Sequence, residues 1–239
     1  MLFSGKLDLK PHDFVTAVGG GGKTSLLKKL AGELTDQGEK VLLTTTTHMQ
    51  LPDPALYTVF LRDQEDREAY ASWIAACRDA AVFAAEYRVN EWKVKGDEDG
   101  LYDMLYQRVP DRTFLCEGDG SAGHSFKIFR DNEPVIPNET ARLLFVAGAD
   151  AWGRPCREVL FKCPDVFRDR IFDREFWREE LGRALERVRG MYSGPIDLLI
   201  NKAEGIYEEG AGEMAGEALA LADRVWISSL REDRIELVI

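Results

Sequence analysis

The sequence predicts an α/β fold, a three-layer sandwich around a mostly parallel central sheet. Three observations predict it. An apolar run at residues 14–18 ends in four consecutive glycines and Lys23-Thr24, then opens onto helix formers at 26–31. Further apolar runs of strand length follow at 40–47, 111–116, 142–148 and 195–200, each ending in polar or glycine residues. Stretches with helical spacing of leucines separate several of them, and alternating strands and helices build parallel sheets.

The first run and its glycines form the arrangement of a phosphate-binding loop. Glycines let the backbone turn tightly, so successive N–H groups can face one concavity. The helix that follows adds the amides of its first turn and the positive end of its dipole. Gly19, Gly20, Gly21, Gly22, Lys23, Thr24 and Ser25 are therefore the expected nucleotide-binding residues. Lys23 supplies a mobile charge for the outer phosphates and is also assigned the catalytic role of stabilising a transferring phosphoryl group. The Thr24 hydroxyl is expected to ligate Mg²⁺. The usual first glycine is Ala17, so the loop is nearer to the G-G-x-G-K-T variant of dimeric switches and maturation factors. The expected fold is accordingly P-loop NTPase-like.

At 239 residues the chain reads as one domain, 1–239, with 45% hydrophobic and 31% charged residues. The net charge of −11 and the interleaving of basic with acidic residues argue against nucleic acid or an anionic membrane as partners. No apolar run approaches the roughly 20 residues of a spanning helix. The start, Met-Leu-Phe-Ser-Gly-Lys-Leu-Asp, lacks the basic-then-apolar signal pattern, so the expected compartment is the cytoplasm. The four cysteines include no C-x-x-C pair, and with three histidines they form no recognisable zinc set.

In chain order, a helix is expected from 23 to 36, with leucines at 26, 27, 30 and 34 and Gln37-Gly38 as its stop. The strand at 40–47 ends in four threonines, on the sheet edge that carries the loop. Thr46 and Thr47 are candidates for the phosphate, metal or water side, while His48 reads as a partly exposed structural residue. Strands are expected at 57–61 and 80–89, and helices at 67–77, with Tyr70, Trp73 and Ile74 on one face, and at 101–109. The buried strand at 111–116 ends in Glu117-Gly118-Asp119-Gly120-Ser121. A carboxylate ending an apolar strand downstream of the loop is the expected second Mg²⁺ anchor. Glu117 takes the metal side and Asp119 the water-positioning, catalytic side, with the two roles interchangeable.

Residues 123–138 carry Pro134 and Pro137 and scattered charges, which exclude regular structure and mark a functional loop. Lys127 is read either as a phosphate contact or as a solvated lysine, and Glu133 as a residue gripping an acceptor. The arginine- and acid-rich stretch 165–190 reads as a salt-bridged surface helix with Phe176, Trp177, Leu181 and Leu185 on its apolar stripe. The strand at 195–200 ends in Asn201-Lys202-Ala203-Glu204, similar to the N-K-x-D element that reads guanine. In that element Glu204 takes the base-side carboxylate, Asn201 orients the loop and Lys202 packs on the base. A helix at 208–222 and two strands, at 223–229 and 234–239, complete the chain.

Taken together, the chain resembles the YqeC family, the selenium-dependent hydroxylase accessory proteins. The residues that carry the resemblance are the loop at 18–24, the run 44–49, Glu117-Gly118-Asp119-Gly120-Ser121, Asn132-Glu133-Pro134-Val135-Ile136-Pro137, the loop 148–155 and the Asn201 element. His124-Ser125-Phe126 and Lys162 depart from the family pattern. The resemblance alone implies a role in maturing molybdenum hydroxylases that carry a labile selenium cofactor, with the apoenzyme or a cofactor intermediate as partner. The expected activity is a Mg²⁺-dependent nucleoside triphosphatase using ATP or GTP. A small-molecule kinase or ligase, and a nucleotide-regulated chaperone with negligible turnover, stand beside it. The variant loop class also implies a homodimer formed across the nucleotide.

Overall fold

A computed structural model describes residues 2–63 and 65–238. It has the expected α/β class, with mostly parallel strands and helices packed on them. The chain divides into two compact units. The first takes residues up to 17, with Leu27–Gly120 and Val135–Ala141. The second takes Val18–Leu26, Ser121–Pro134 and the chain from Arg142 on.

The first unit contains α1 (Phe3–Lys6), most of β1 (Phe14–Gly19), most of α2 (Lys23–Asp36), β2 (Lys40–Thr45), β3 (His48–Gln50), β4 (Thr58–Leu61), α3 (Arg67–Ala76), β5 (Ala81–Ala85), β6 (Tyr87–Asn90), β7 (Lys93–Lys95), α4 (Leu101–Arg108) and β8 (Arg112–Glu117). Its main strands lie in the order β1-β8-β2-β5-β4, every neighbour parallel. Strands covered on both faces need no polar alternation, which is why these segments read as continuous apolar runs. On one face Phe14, Leu42, Val82 and Phe114 meet Tyr70 and Ile74 of α3 and Leu101 and Leu105 of α4.

Two expectations change here. The run 80–89 is not one strand. β5 is buried in the main sheet, whereas β6 is exposed along its length and turns back to pair antiparallel with β7, which also pairs with β3. Apolarity fixes the first half at the core, and the polar alternation of Tyr87-Arg88-Val89-Asn90 lets the second half leave it. Trp73 is 47% exposed, and Ala71 joins Tyr70 and Ile74 inward instead. At about 100° per residue, positions 70, 71 and 74 share one arc of the helix, and 73 falls to the other side.

The second unit adds β9 (Arg142–Gly148), α5 (Cys156–Val159), α6 (Arg174–Arg189), β10 (Ile196–Asn201), α7 (Glu208–Ala218), β11 (Arg224–Ser229) and β12 (Arg234–Val238). The order is β9-β10-β11-β12, parallel except for the last pair. Ile239, the end of the expected final strand, lies outside the described residues. Asp173 caps α6 by accepting from the Phe176 N–H, and the expected stripe of Phe176, Trp177, Leu181 and Leu185 is buried. Trp177 Nε1 donates to Met214 O of α7 at 2.9 Å, so the indole N–H keeps a partner in the core. No helix among the described residues is long and apolar enough to cross a membrane.

Arg112, at the start of β8, is 1% exposed. Its guanidinium donates to Cys77 O at 2.8 Å and Asp79 O at 2.9 Å, satisfying carbonyls between α3 and β5. Arg112→Leu removes these donors while keeping much of the volume. It is expected to lower stability by about 2–3 kcal/mol, read as a lower urea midpoint at unchanged slope.

Candidate functional site

The glycine loop of the second unit is the centre of the site. β1 ends at Gly19 and α2 begins at Lys23, so strand, turn and helix follow as the sequence predicts. Gly19, Gly21 and Gly22 have φ of +96°, +68° and +112°, values that side chains other than glycine rarely adopt. Space is equally restrictive. A Cβ on Gly19 would stand 2.4 Å from Val146 O, and one on Gly21 would stand 2.3 Å from Gly148 N. The loop thus lies directly on the last residues of β9.

The first amides of the loop do not all face one concavity. Gly20 N–H donates to Val146 O at 2.8 Å, and Gly21 N–H donates to His124 O at 2.9 Å. These two hold the loop to its surroundings. The bond from Leu26 N–H to Gly22 O opens the helical ladder, so residues 23–25 make up the first turn of α2. Lys23 is 2% exposed, and its Nζ donates to Gly19 O and, at 3.2 Å, to Ser121 Oγ. The lysine therefore folds back along its own loop and also reaches the serine of the acidic stretch.

The Asn201 element meets the same loop. Asn201 is buried at the end of β10, in register with Gly148. Its Nδ2 donates to Gly21 O at 2.7 Å, and its Oδ1 accepts from Leu230 N–H at 3.3 Å. Lys202 has a φ of +62°, and its Nζ reaches Asp150 Oδ2 at 2.8 Å and Ser125 Oγ at 3.2 Å. Glu204 is half-buried, and its Oε2 has no hydrogen-bond partner among the described residues. Asn201 thus bonds to the glycine loop, while the Lys202 ammonium is engaged with a carboxylate.

Lys127 is 1% exposed, which overturns the reading of a solvated lysine. Its Nζ pairs with Glu133 Oε2 at 2.8 Å and lies 5.5 Å from the Phe161 ring centre. Arg187 donates to Glu133 O and Asp131 O, tying α6 to this loop. The two candidate substrate-loop residues therefore meet each other in an ion pair.

In the first unit, Glu117 lies in register with Ala17 across β1 and β8, and Gly118 N–H donates to Ala17 O at 2.9 Å. Glu117 and Asp119 are both buried. The expected threonine strand end is legible here as wiring. Thr45 Oγ1 donates to Glu117 O at 2.9 Å, Thr46 Oγ1 to Val135 O at 3.1 Å and Thr44 Oγ1 to Ala84 O at 2.8 Å. Val135 N–H in turn donates to Gly118 O at 2.9 Å. Thr46, the acidic strand end and the Pro-Val-Ile-Pro stretch are thus joined, with Thr47 half-buried beside them and its N–H bound to Thr45 Oγ1. His48 is exposed on β3, where partial burial, Lys93 and Lys95 lower its pKa. Burial pushes the Cys116 thiol far above its ordinary pKa, making it a packed core group.

No group of three or more His, Cys, Asp and Glu residues among those described is arranged to hold a metal ion. Thr24, the residue the sequence assigns to Mg²⁺, is half-buried at the second position of α2.

A model of the YqeC protein family matches residues 15–164. The chain belongs to the YqeC family. The matched stretch takes in the glycine loop, the Glu117–Asp119 turn and the Lys127–Glu133 pair, while the Asn201 element lies beyond it. The chain is also 36% identical over 141 residues to a protein of Escherichia coli (strain K12) described as "Uncharacterized protein YqeC". That similarity covers 58% of this chain and spans about half, 53%, of the relative.

The glycines separate loop constraint from ordinary helix propensity. Gly21→Ala is expected to cost at least about 2 kcal/mol, because φ is positive and the new Cβ meets backbone atoms. Gly32→Ala, inside α2 with nothing within 4 Å of the new Cβ, is expected to gain about 0.5–1 kcal/mol. Chemical denaturation of the two variants beside the wild type checks both signs.

Proposed function

We propose that this chain binds a nucleoside triphosphate, ATP or GTP, together with Mg²⁺, and hydrolyses it slowly. The observation that carries the reading is the glycine loop between β1 and α2, with Lys23 at the helix start and folded back along the loop. On binding, Lys23 exchanges the Gly19 carbonyl and the Ser121 hydroxyl for phosphate oxygens. The amides at the start of α2 and the helix dipole favour the same negative charge. The Thr24 hydroxyl supplies a ligand to Mg²⁺, and Lys23 stabilises the charge that develops on the transferring phosphoryl group.

Glu117 on the metal side and Asp119 as the group that orients water follow from chain order, as acids ending the strand downstream of the loop. Family membership supports a role in maturing a selenium-dependent molybdenum hydroxylase, with the apoenzyme or a cofactor intermediate as client. The Lys127–Glu133 loop is the proposed place for that client to be sensed.

The test is a binding and turnover panel with Mg²⁺. Wild type is expected to bind ATP or GTP and to release phosphate without an acceptor. Lys23→Ala is expected to lose about a hundredfold in affinity, the loss of one charge-assisted phosphate contact. Retained affinity in that variant removes the phosphate-loop reading. Phosphate transfer only when an acceptor is added would make the chain a kinase or ligase, and tight binding without turnover would make it a nucleotide-regulated chaperone.

A further inference from the structure

Resting on the nucleotide reading above, we infer that Asn201 and Lys202 are positioning residues for the phosphate loop, acting on bound phosphate through Gly21 and not through the base. In the sequence pattern Asn-Lys-x-Glu, Asn201 orients its own base-side loop and Lys202 packs on the base. The hydrogen bonds place them elsewhere. Gly21 is held on both sides: His124 O accepts its N–H, in the Gly20–Gly21 peptide, at 2.9 Å, and Asn201 Nδ2 donates to its carbonyl, in the Gly21–Gly22 peptide, at 2.7 Å. Rotating the first of these peptides breaks the His124 bond, and rotating the second breaks the Asn201 bond.

Each holder is itself fixed. Asn201 is 4% exposed, and its Oδ1 accepts from Leu230 N–H and, at 3.4 Å, from the Ser228 hydroxyl. His124 is followed by Ser125, whose carbonyl accepts from Gly148 N–H at 2.8 Å and whose Oγ accepts from Lys202 Nζ at 3.2 Å. Asp150 Oδ2, at 2.8 Å from the same Nζ, holds the ammonium in that direction. The contacts form a closed circuit. Lys202 fixes the segment whose carbonyl grips Gly21 N–H, and its chain neighbour Asn201 grips Gly21 O. An ammonium in an ion pair and a buried amide with its donor and acceptor engaged set the direction of the loop amides. That direction is shared by every ligand that carries a polyphosphate.

The experiment measures calorimetric affinities of the full chain for Mg-GTP, Mg-ATP and inorganic tripolyphosphate, which has no base. Asn201→Ala and Lys202→Met are expected to weaken all three by the same factor, roughly tenfold, the effect of losing one hydrogen bond to the loop. Lys202→Arg, which keeps the charge facing Asp150, is expected to restore wild-type affinity for all three. A loss confined to GTP, with tripolyphosphate binding unchanged, overturns the inference, and so does unaltered affinity for every ligand in folded variants. If Asn201→Ala fails to fold, the Lys202→Met and Lys202→Arg pair, at a half-exposed side chain, carries the same comparison. A wild type that binds neither nucleotide nor tripolyphosphate overturns the nucleotide reading itself, before any variant is compared.

Discussion

The loop at residues 19–22 rests on a backbone-to-backbone contact that only glycine permits. β9 offers Val146 O and Gly148 N at distances where a Cβ has no room, and the same strand accepts the Gly20 N–H. Close approach of this kind fixes a loop more rigidly than side-chain packing, because no rotamer change can relieve a clash with main chain. The parallel pairing of β9 with β10 then decides what else reaches the loop. Gly148 and Asn201 share a register position, so the strand end that touches Gly21 and the side chain that holds its carbonyl arrive together.

Charge is handled locally in a chain that is acidic overall. Lys23 and Lys127 are both almost fully buried, and burying an ammonium is costly unless its donors are engaged. Lys127 has the Glu133 carboxylate, a full opposite charge. Lys23 donates to the Gly19 carbonyl and to the Ser121 hydroxyl.

The same economy of contacts appears in the first unit, where threonine hydroxyls join strand ends to neighbouring carbonyls. A parallel sheet leaves its last carbonyls without ladder partners, and hydroxyls placed there satisfy them. Thr45 Oγ1 adds a second donor to Glu117 O, which also accepts from Thr46 N–H, and Thr46 Oγ1 donates to Val135 O outside the strands, which fixes the backbone that carries the acidic turn. Three stretches that bear the family resemblance, the threonine run, the acidic turn and the Pro-Val-Ile-Pro segment, are therefore one connected piece of main chain.

The sequence by itself determined the α/β class, the strand–glycine–helix unit to its last residue at Asp36, and the order of most buried strands. It did so because apolar runs, helical spacing and glycine punctuation are local signals that act before any tertiary contact forms. It also marked Lys23 at a helix start and Glu117 and Asn201 at strand ends. The tertiary structure decided the rest. Whether Lys127 is solvated or buried depends on Glu133 and Phe161 folding over it, and composition around the lysine carries no trace of that. The departure of β6 from the run 80–89 depends on β7 and β3 offering an antiparallel edge. Lys202 depends on Asp150, fifty-two residues earlier, for the direction of its ammonium. A motif fixes which groups are present. The partners that orient them are brought by the sheet from distant parts of the chain, and a hydrogen bond has direction only once both ends are placed.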